Sequence, residues 1–139
     1  MPSLDIWSFK KAAADVGRDA VVFNGPDEQF APGRLIGADG GIGGTYGVMP
    51  ELFLKLDELI KDGEIEKVTA LQAKINEIIV TLCSGKGNLY AVMKEIIRRR
   101  DGIDLNGVRS PLANIEPSDS AVIEKAMTEI DNAITEFCK

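Results

Sequence analysis

Two short segments of strand character are followed only by helical patterns, and this imbalance limits how the 139-residue chain can fold. The first segment is AVVFNG at residues 20–25, an apolar and β-branched run between Asp19 and Pro26. Such a run is typical of a strand buried on both faces of a parallel sheet. The second segment, of weaker propensity, is GGIGGTY at residues 40–46. Because two parallel strands do not form a stable sheet alone, the sequence predicts that both belong to a larger sheet.

A glycine run, GADGGIGGTYG, occupies residues 37–47. It does not fit the dinucleotide-binding fingerprint, because Tyr46 stands where the third glycine is needed. A P-loop does not fit either, since Gly85-Lys86 is followed by glycine rather than serine or threonine. A plain turn would carry the entropic cost of so many glycines with no compensating gain. We therefore interpret the run as a barrel strand whose inward positions are kept empty, so that a ligand fits at its C-terminal end.

Amphipathic patterns predict helices over most of the remaining chain. The predicted helices cover residues 4–17, 26–37, 50–63, 65–82, 89–100 and a last segment that follows a loop at 101–118. We expect Ser3 to cap the first helix and Ser118 or Ser120 to cap the last. The apolar faces of the later helices are more typical of core and subunit packing than of a ligand site.

The charge balance argues against two classes of partner. The chain has 16 Lys and Arg against 22 Asp and Glu, a formal net charge of −6. Nucleic acids and anionic membranes both favour clustered cations, and the one basic run, at 98–100, suits a helix C-terminus. No apolar run approaches the roughly 18 residues of a membrane span, and no signal-peptide pattern opens the chain. The expected location is the cytoplasm.

The absence of histidine narrows the possible chemistry. Cys83 and Cys138 are far apart in sequence and have no histidine to join them, so neither a zinc site nor a disulfide framework is expected. A Ser-His or Cys-His nucleophile system is excluded for the same reason. We expect no metal and no cofactor.

Three segments carry a resemblance to a known family. They are VFNGPDEQF at 22–30, GRLIGADGGIGGTYGVMPELF at 33–53, and GEIEKVTALQAKINEII at 63–79. Together they resemble the C-terminal part of the N-acetylneuraminate lyases, which belong to the pyruvate-aldolase superfamily of dihydrodipicolinate synthase. The resemblance implies an α/β fold, the C-terminal portion of a (β/α)8 TIM barrel with its last two parallel strands. Residues 1–62 would be the last βα units, and residues 63–139 a C-terminal helical appendix packed with them as one unit.

The resemblance also implies an activity and a missing residue. The family cleaves a sialic acid to pyruvate and N-acetylmannosamine through a Schiff base on a lysine, with the iminium acting as an electron sink. Alignment of SLDIW at residues 3–7 with the helix that follows that lysine places the lysine upstream of Met1. We therefore expect no catalytic residue in this chain. Lys10 and Lys11 are the nearest lysines, and both fall within the first predicted helix, where solvated charges are the expected role.

Sugar recognition is the role that the resemblance assigns to the residues after the first strand. Gly25, Asp27 and Glu28 match positions that bind the hydroxylated tail of sialic acid. Carboxylates suit this task, because each accepts hydrogen bonds from neighbouring hydroxyls without imposing a single orientation. Without the resemblance, an acidic pair here would be interpreted as the N-terminal charge of a helix.

The second strand supplies the rest of the expected site. Ile42 and Gly43 match positions that line the pyruvyl end of the pocket, by packing and close backbone approach. Gly44 departs from the family, which usually carries a serine there that touches the same tail. Loss of that hydroxyl removes one hydrogen bond, on the order of 1 kcal/mol, and leaves the exact sugar open.

Three hypotheses follow from these residues. In the first, the chain is a C-terminal fragment of an N-acetylneuraminate lyase-like aldolase, with a sialic acid or related 2-keto acid sugar and pyruvate as its ligands. In the second, it is a dihydrodipicolinate synthase-like or other pyruvate-dependent aldolase. In the third, it is a non-catalytic half-barrel that assembles with itself or with a missing N-terminal half through its open sheet edge.

Overall fold

The computed structural model describes residues 6–139, so the predicted cap Ser3 lies outside the described residues. It is a helix-rich α/β structure. The elements are α1 (Ile6–Asp15), β1 (Phe23–Asn24), α2 (Phe30–Leu35), β2 (Gly40–Gly41), α3 (Pro50–Lys61), α4 (Ile65–Leu82), α5 (Leu89–Asp101) and α6 (Ser120–Phe137). Short 3-10 turns lie at Asp27–Gln29, Thr45–Gly47 and Pro117–Asp119. No helix within this range is long and apolar enough to cross a membrane.

The two predicted strands pair in parallel, with α2 in the connection between them. Phe23 lies opposite Gly40 and Asn24 opposite Gly41. The ladder continues beyond the assigned strands, since the Ile42 amide donates to the Asn24 carbonyl at 2.9 Å. Both predicted strands are therefore present, in the predicted direction, as one short two-stranded sheet.

The prediction that these strands are buried on both faces is not met within residues 6–139. The exposed fractions are 70% for Val21, 54% for Phe23 and 69% for Ile42. Helix α1, which was expected to present an apolar side, exposes Trp7 by 63% and Phe9 by 62%. For the three sheet residues the physical reason is that a sheet of two strands has no neighbour to cover its outer positions.

The hydrophobic core lies mainly among the four long helices rather than around the sheet. Most of its completely buried side chains come from α3, α4, α5 and α6, including Leu52, Leu56, Leu71, Ile75, Ile78, Leu82, Val92, Ile96 and Ile123. Phe30, at the start of α2, joins the same cluster. The strand-bearing part and the helical part thus share one continuous core.

Polar contacts reinforce the junction between the two parts. Arg34 of α2 pairs with Asp57 of α3 at 2.6 Å, and Lys61 pairs with the other carboxylate oxygen of Asp57 at 2.6 Å. At the end of α5, the Arg100 guanidinium donates to the Val48 carbonyl at 2.6 Å. Arg100 therefore joins the end of α5 to the loop that leads into α3.

Asp119, rather than Ser118 or Ser120, organises the start of α6. Its carboxylate is buried and accepts backbone N–H groups of Lys86 at 2.8 Å, Gly87 at 3.0 Å and Glu116 at 2.8 Å. The predicted serine cap is therefore wrong, because a carboxylate satisfies three backbone donors at once and a hydroxyl does not. The same three bonds tie the loop between α4 and α5 to the last helix.

These hydrogen bonds make part of the free energy of unfolding depend on pH. Hydrogen bonds from the Glu116, Lys86 and Gly87 amides lower the pKa of Asp119 below its ordinary value. A lowered folded-state pKa means that this stabilisation is complete above the unfolded pKa, about 3.9, and is lost as the pH falls through the folded value. We expect Asp119→Asn to lower the melting temperature at pH 7 and to reduce the loss of stability below about pH 4.

The measurement is thermal unfolding by circular dichroism at pH 7 and pH 3. Asp131→Asn, at an exposed position of the same helix, is the matched control and should melt like the unaltered chain at pH 7. Equal melting temperatures at pH 7 for Asp119→Asn and the unaltered chain would contradict the assignment.

Candidate functional site

The segments that follow the two strands meet at one edge of the sheet, because the carboxyl ends of parallel strands lie side by side. Gly25, Pro26 and the turn Asp27–Gln29 follow β1, and Ile42 to Thr45 follow β2. The sequence-predicted residues of both segments are therefore brought to the same end of the sheet.

Asp27 is the centre of this edge. It is 8% exposed, and its Oδ2 accepts hydrogen bonds from the backbone amide of Thr45 at 2.9 Å and from the Thr45 hydroxyl at 2.6 Å. Its Oδ1 is buried and has no hydrogen-bond partner within residues 6–139. A carboxylate oxygen without a donor is costly to bury, so Oδ1 is suited to accept a hydrogen bond from a ligand.

Gly43 is needed because of Asp27. A Cβ at position 43 would overlap Oδ1 of Asp27 and lie 2.5 Å from its carboxyl carbon. Glycine therefore lets the carboxylate lie directly against the backbone of the strand end. Sequence reasoning predicted both residues, and the structure brings them into contact.

The space left by the glycine run is largely filled by side chains of this chain. At Gly41 a Cβ would lie 2.8 Å from the Phe30 ring, and at Gly44 it would lie 2.8 Å from the Tyr90 ring. Room for a ligand at these positions stays a prediction. Close packing of Asp27, Phe30 and Tyr90 against bare backbone requires the same glycines.

The remaining predicted residues surround this contact without joining it. Glu28 is exposed, one position after Asp27 in the turn. Gly25 has no atom within 4 Å of the place where a Cβ would be, and Ile42 is 69% exposed. Gly25 and Glu28 thus leave an open surface beside Asp27, and Ile42 presents an apolar side chain to it.

Two amides on α4, Gln72 and Asn76, hold the turn that carries Asp27. The Gln72 Oε1 accepts the Ala31 amide at 2.9 Å, and its Nε2 donates to the Asp27 carbonyl at 3.3 Å. Asn76 donates to the Glu28 carbonyl at 3.3 Å and accepts from Gln72 at 2.9 Å. The two amides therefore bind the backbone of both predicted carboxylate residues.

Sequence reasoning missed this pair. The available signal was Gln72 itself, a polar residue four positions after Val68 on the buried face of α4. A buried amide on an apolar stripe needs hydrogen-bond partners, and here the partners come from a distant turn.

A cleft of about 310 Å³ lies along β2, beside the Asp27 edge, and it is mostly apolar. Tyr46 lines it and makes edge-to-face contacts with Phe30 at 6.2 Å and Phe53 at 4.0 Å between ring centres. Its hydroxyl is buried without a hydrogen-bond partner among residues 6–139. Burial, together with the nearby charge of Asp27, raises the pKa of Tyr46 well above its ordinary value, so the phenol stays neutral.

The two lysines considered for catalysis are engaged elsewhere. Lys10 pairs with Asp39 at 2.8 Å, and Lys11 pairs with Asp15 one helical turn away at 2.8 Å. In the part of the chain that the structure describes, no group of three or more His, Cys, Asp or Glu side chains is arranged to hold a metal.

Comparison with known proteins yields one family and a consistent set of relatives. The model of the dihydrodipicolinate synthetase family matches residues 3–130. The N-acetylneuraminate lyase of Mediterraneibacter gnavus is 47% identical over 137 residues, which are 99% of this chain and 42% of that protein. The N-acetylneuraminate lyase of Salmonella agona is 33% identical over 115 residues, 80% of this chain and 38% of that protein.

Solved structures give the same result. The wild-type Ruminococcus gnavus sialic acid aldolase superposes with a TM-score of 0.90 at 47% identity, over 99% of this chain and 44% of that one. The Fusobacterium nucleatum N-acetylneuraminate lyase superposes with a TM-score of 0.67 at 26% identity, over 96% of this chain and 42% of that one. The chain thus spans about two fifths of the length of the relatives that it matches. Since the family model covers nearly all of its residues, the chain belongs to the dihydrodipicolinate synthetase family.

Proposed function

We propose that this chain is the sugar-binding part of an N-acetylneuraminate lyase-like aldolase, which cleaves a sialic acid to pyruvate and N-acetylmannosamine. The observation that carries the proposal is Asp27, a buried carboxylate with one oxygen fixed by Thr45 and the other without a donor. The 47% identity to the Mediterraneibacter gnavus lyase supports the choice of sialic acid over other 2-keto acids.

The proposal assigns the polyol tail of the sugar to the edge that carries Asp27. The free Oδ1 accepts one hydroxyl of the tail, and the exposed carboxylate of Glu28 accepts another. The bare backbone at Gly25 gives the tail access. Ile42 and Gly43 lie at the pyruvyl end, and Gly44 lies beside the tail.

In architectural terms, residues 1–62 are the last βα units of a TIM barrel and residues 63–139 are its helical appendix. The exposed Val21, Phe23 and Ile42 support this assignment, because strands of a closed barrel have these positions covered. The partner that covers these strands is either the N-terminal half of the barrel or a second copy in a homo-oligomer.

The bond-breaking step belongs to a lysine outside these 139 residues. Its neutral amine attacks the substrate ketone, water leaves, and the iminium accepts the electron pair when the carbon–carbon bond breaks. The residues of this chain bind and orient the sugar while that step proceeds. Dihydrodipicolinate synthase-like chemistry is the alternative, and it differs in the substrate rather than in the imine.

Borohydride trapping with pyruvate tests the assignment of the lysine. We expect no covalent adduct on the isolated chain by intact mass, because Lys10 and Lys11 are held in ion pairs away from Asp27. The Ruminococcus gnavus aldolase, for which a catalytic lysine mutant is known, is the positive control. One stoichiometric adduct on this chain would contradict the assignment.

A hybrid enzyme tests the activity and the substrate. In it, this chain replaces the matched segment of the Mediterraneibacter gnavus lyase, and pyruvate release from N-acetylneuraminate is measured. We expect turnover, and we expect Asp27→Asn to raise KM about tenfold or more, because a charged acceptor of the tail is lost. A folded hybrid that cleaves only shorter 2-keto acids would instead support the alternative aldolase.

A third prediction concerns the support that α4 gives to the site. Gln72→Met keeps the length of the side chain but removes the acceptor of the Ala31 amide and one of the two donors to the Asp27 carbonyl, which also accepts the Phe30 amide. The expected cost is about 1–3 kcal/mol. We expect faster hydrogen exchange of the Ala31 amide and weaker sugar binding by the hybrid. Asn132→Ala, an exposed amide on α6, is the control. Unchanged exchange at Ala31 would show that Gln72 does not hold the turn.

A further inference from the structure

The glycine at position 44 is not required by its own backbone. Gly44 has φ −75° and ψ −42°, a right-handed conformation that any residue adopts. The reason for glycine is a neighbouring side chain. A Cβ at position 44 would lie 2.8 Å from Cε1 and 3.3 Å from the hydroxyl oxygen of Tyr90, and 3.4 Å from the Met93 methyl. The ring of Tyr90 thus occupies the place where a side chain of residue 44 would lie.

Tyr90 is held in this place by the start of α5. Asn88 caps the helix, and its Oδ1 accepts the Tyr90 amide at 3.0 Å. The Tyr90 side chain is half exposed, and its hydroxyl makes no hydrogen bond to any of residues 6–139. The backbone is therefore fixed while the hydroxyl stays available to a ligand.

The Tyr90 ring lies next to the contact between Asp27 and the end of β2. Gly44 lies between Gly43, which packs against Oδ1 of Asp27, and Thr45, which binds Oδ2. Asp27 and the Tyr90 ring therefore pack against neighbouring residues of the same strand end. A phenol hydroxyl both donates and accepts hydrogen bonds, so it complements a carboxylate that only accepts.

We propose that Tyr90 is a specificity-determining residue of this site, whose hydroxyl binds the polyol tail of the sugar from the position that residue 44 leaves empty. The inference rests on the proposed function and deepens it. Asp27 selects a ligand with a hydroxyl donor, and Tyr90 adds a second contact that only a longer tail reaches. Sugar acids with a short chain make the first contact and lack the second.

The chain contains only two tyrosines, Tyr46 and Tyr90, which makes a direct test simple. The 139-residue chain is prepared with ¹³C-labelled tyrosine rings and titrated with N-acetylneuraminate, and the two ring signals are assigned by the Tyr90→Phe variant. We expect the Tyr90 signal to shift with the sugar and Tyr90→Phe to weaken binding about fivefold, the loss of one ordinary hydrogen bond. A six-carbon 2-keto-3-deoxy sugar acid should bind the variant and the unaltered chain equally.

Thr128→Val is the control, since it removes one hydroxyl from an exposed position of α6, and it should leave the affinity unchanged. A reciprocal exchange provides a second variant. Gly44→Ser alone places a side chain against the Tyr90 ring and should weaken binding, whereas Gly44→Ser in a Tyr90→Ala background returns a hydroxyl to the vacated space. We expect this double variant to bind N-acetylneuraminate more tightly than Tyr90→Ala alone.

The outcomes separate the two proposals. If N-acetylneuraminate shifts the Asp27 and Thr45 amides but Tyr90→Phe binds it with unchanged affinity, the role of Tyr90 is wrong and the proposed function stands. If the sugar shifts neither these amides nor the Tyr90 ring at millimolar concentrations, the sugar site and the role of Tyr90 are both overturned. If Tyr90→Phe lowered the affinity for both sugars about fivefold, Tyr90 would not discriminate between tails of different length, and the proposal would be contradicted.

Discussion

The burial of α4 among the other helices is the constraint on which the rest of the structure depends. Leu71, Ile75, Ile78 and Leu82 of this helix are completely buried. The same helix carries Gln72, whose amide binds the backbone of the turn at Asp27 and of α2 at Ala31. The packing that stabilises the helical part therefore also fixes where the candidate site lies. A carboxylate on a short turn would otherwise have many orientations, and fixing it before a ligand arrives lowers the entropic cost of binding.

In contrast to the buried helix α4, the sheet and its flanking residues leave most of their apolar side chains exposed. Val21 before β1, Phe23 on β1 and Ile42 after β2 are exposed beside a well-packed helical core. An exposed apolar surface of this kind is typical of interfaces, since isolated parallel strands are not stabilised by their own hydrogen bonds. Membership of a family whose relatives are more than twice as long gives this surface a natural explanation.

The glycine run shows how one sequence feature serves two purposes. The run was predicted to leave room for a ligand, and in the structure the bare backbone of Gly43 and Gly44 receives Asp27 and Tyr90. These are the side chains that the proposals assign to the sugar. The glycines thus bring polar groups close to the strand ends, and the groups themselves come from a turn after β1 and from the start of α5.

The sequence by itself determined the helical segments and the parallel character of the two strands, because periodicity and β-branched runs are properties of neighbouring residues. The family resemblance proposed Asp27 and Gly43 as site residues, and the structure places them in contact. It did not determine the role of Asp119, whose carboxylate accepts three backbone donors from two separate loops. Nor did it identify Gln72 or Tyr90, which lie 45 and 46 positions from the residues that they contact, Asp27 and Gly44. Such contacts form only when the helices pack. Hydrogen bonds and steric contacts act over a few ångströms, so they depend on tertiary position rather than on distance along the chain.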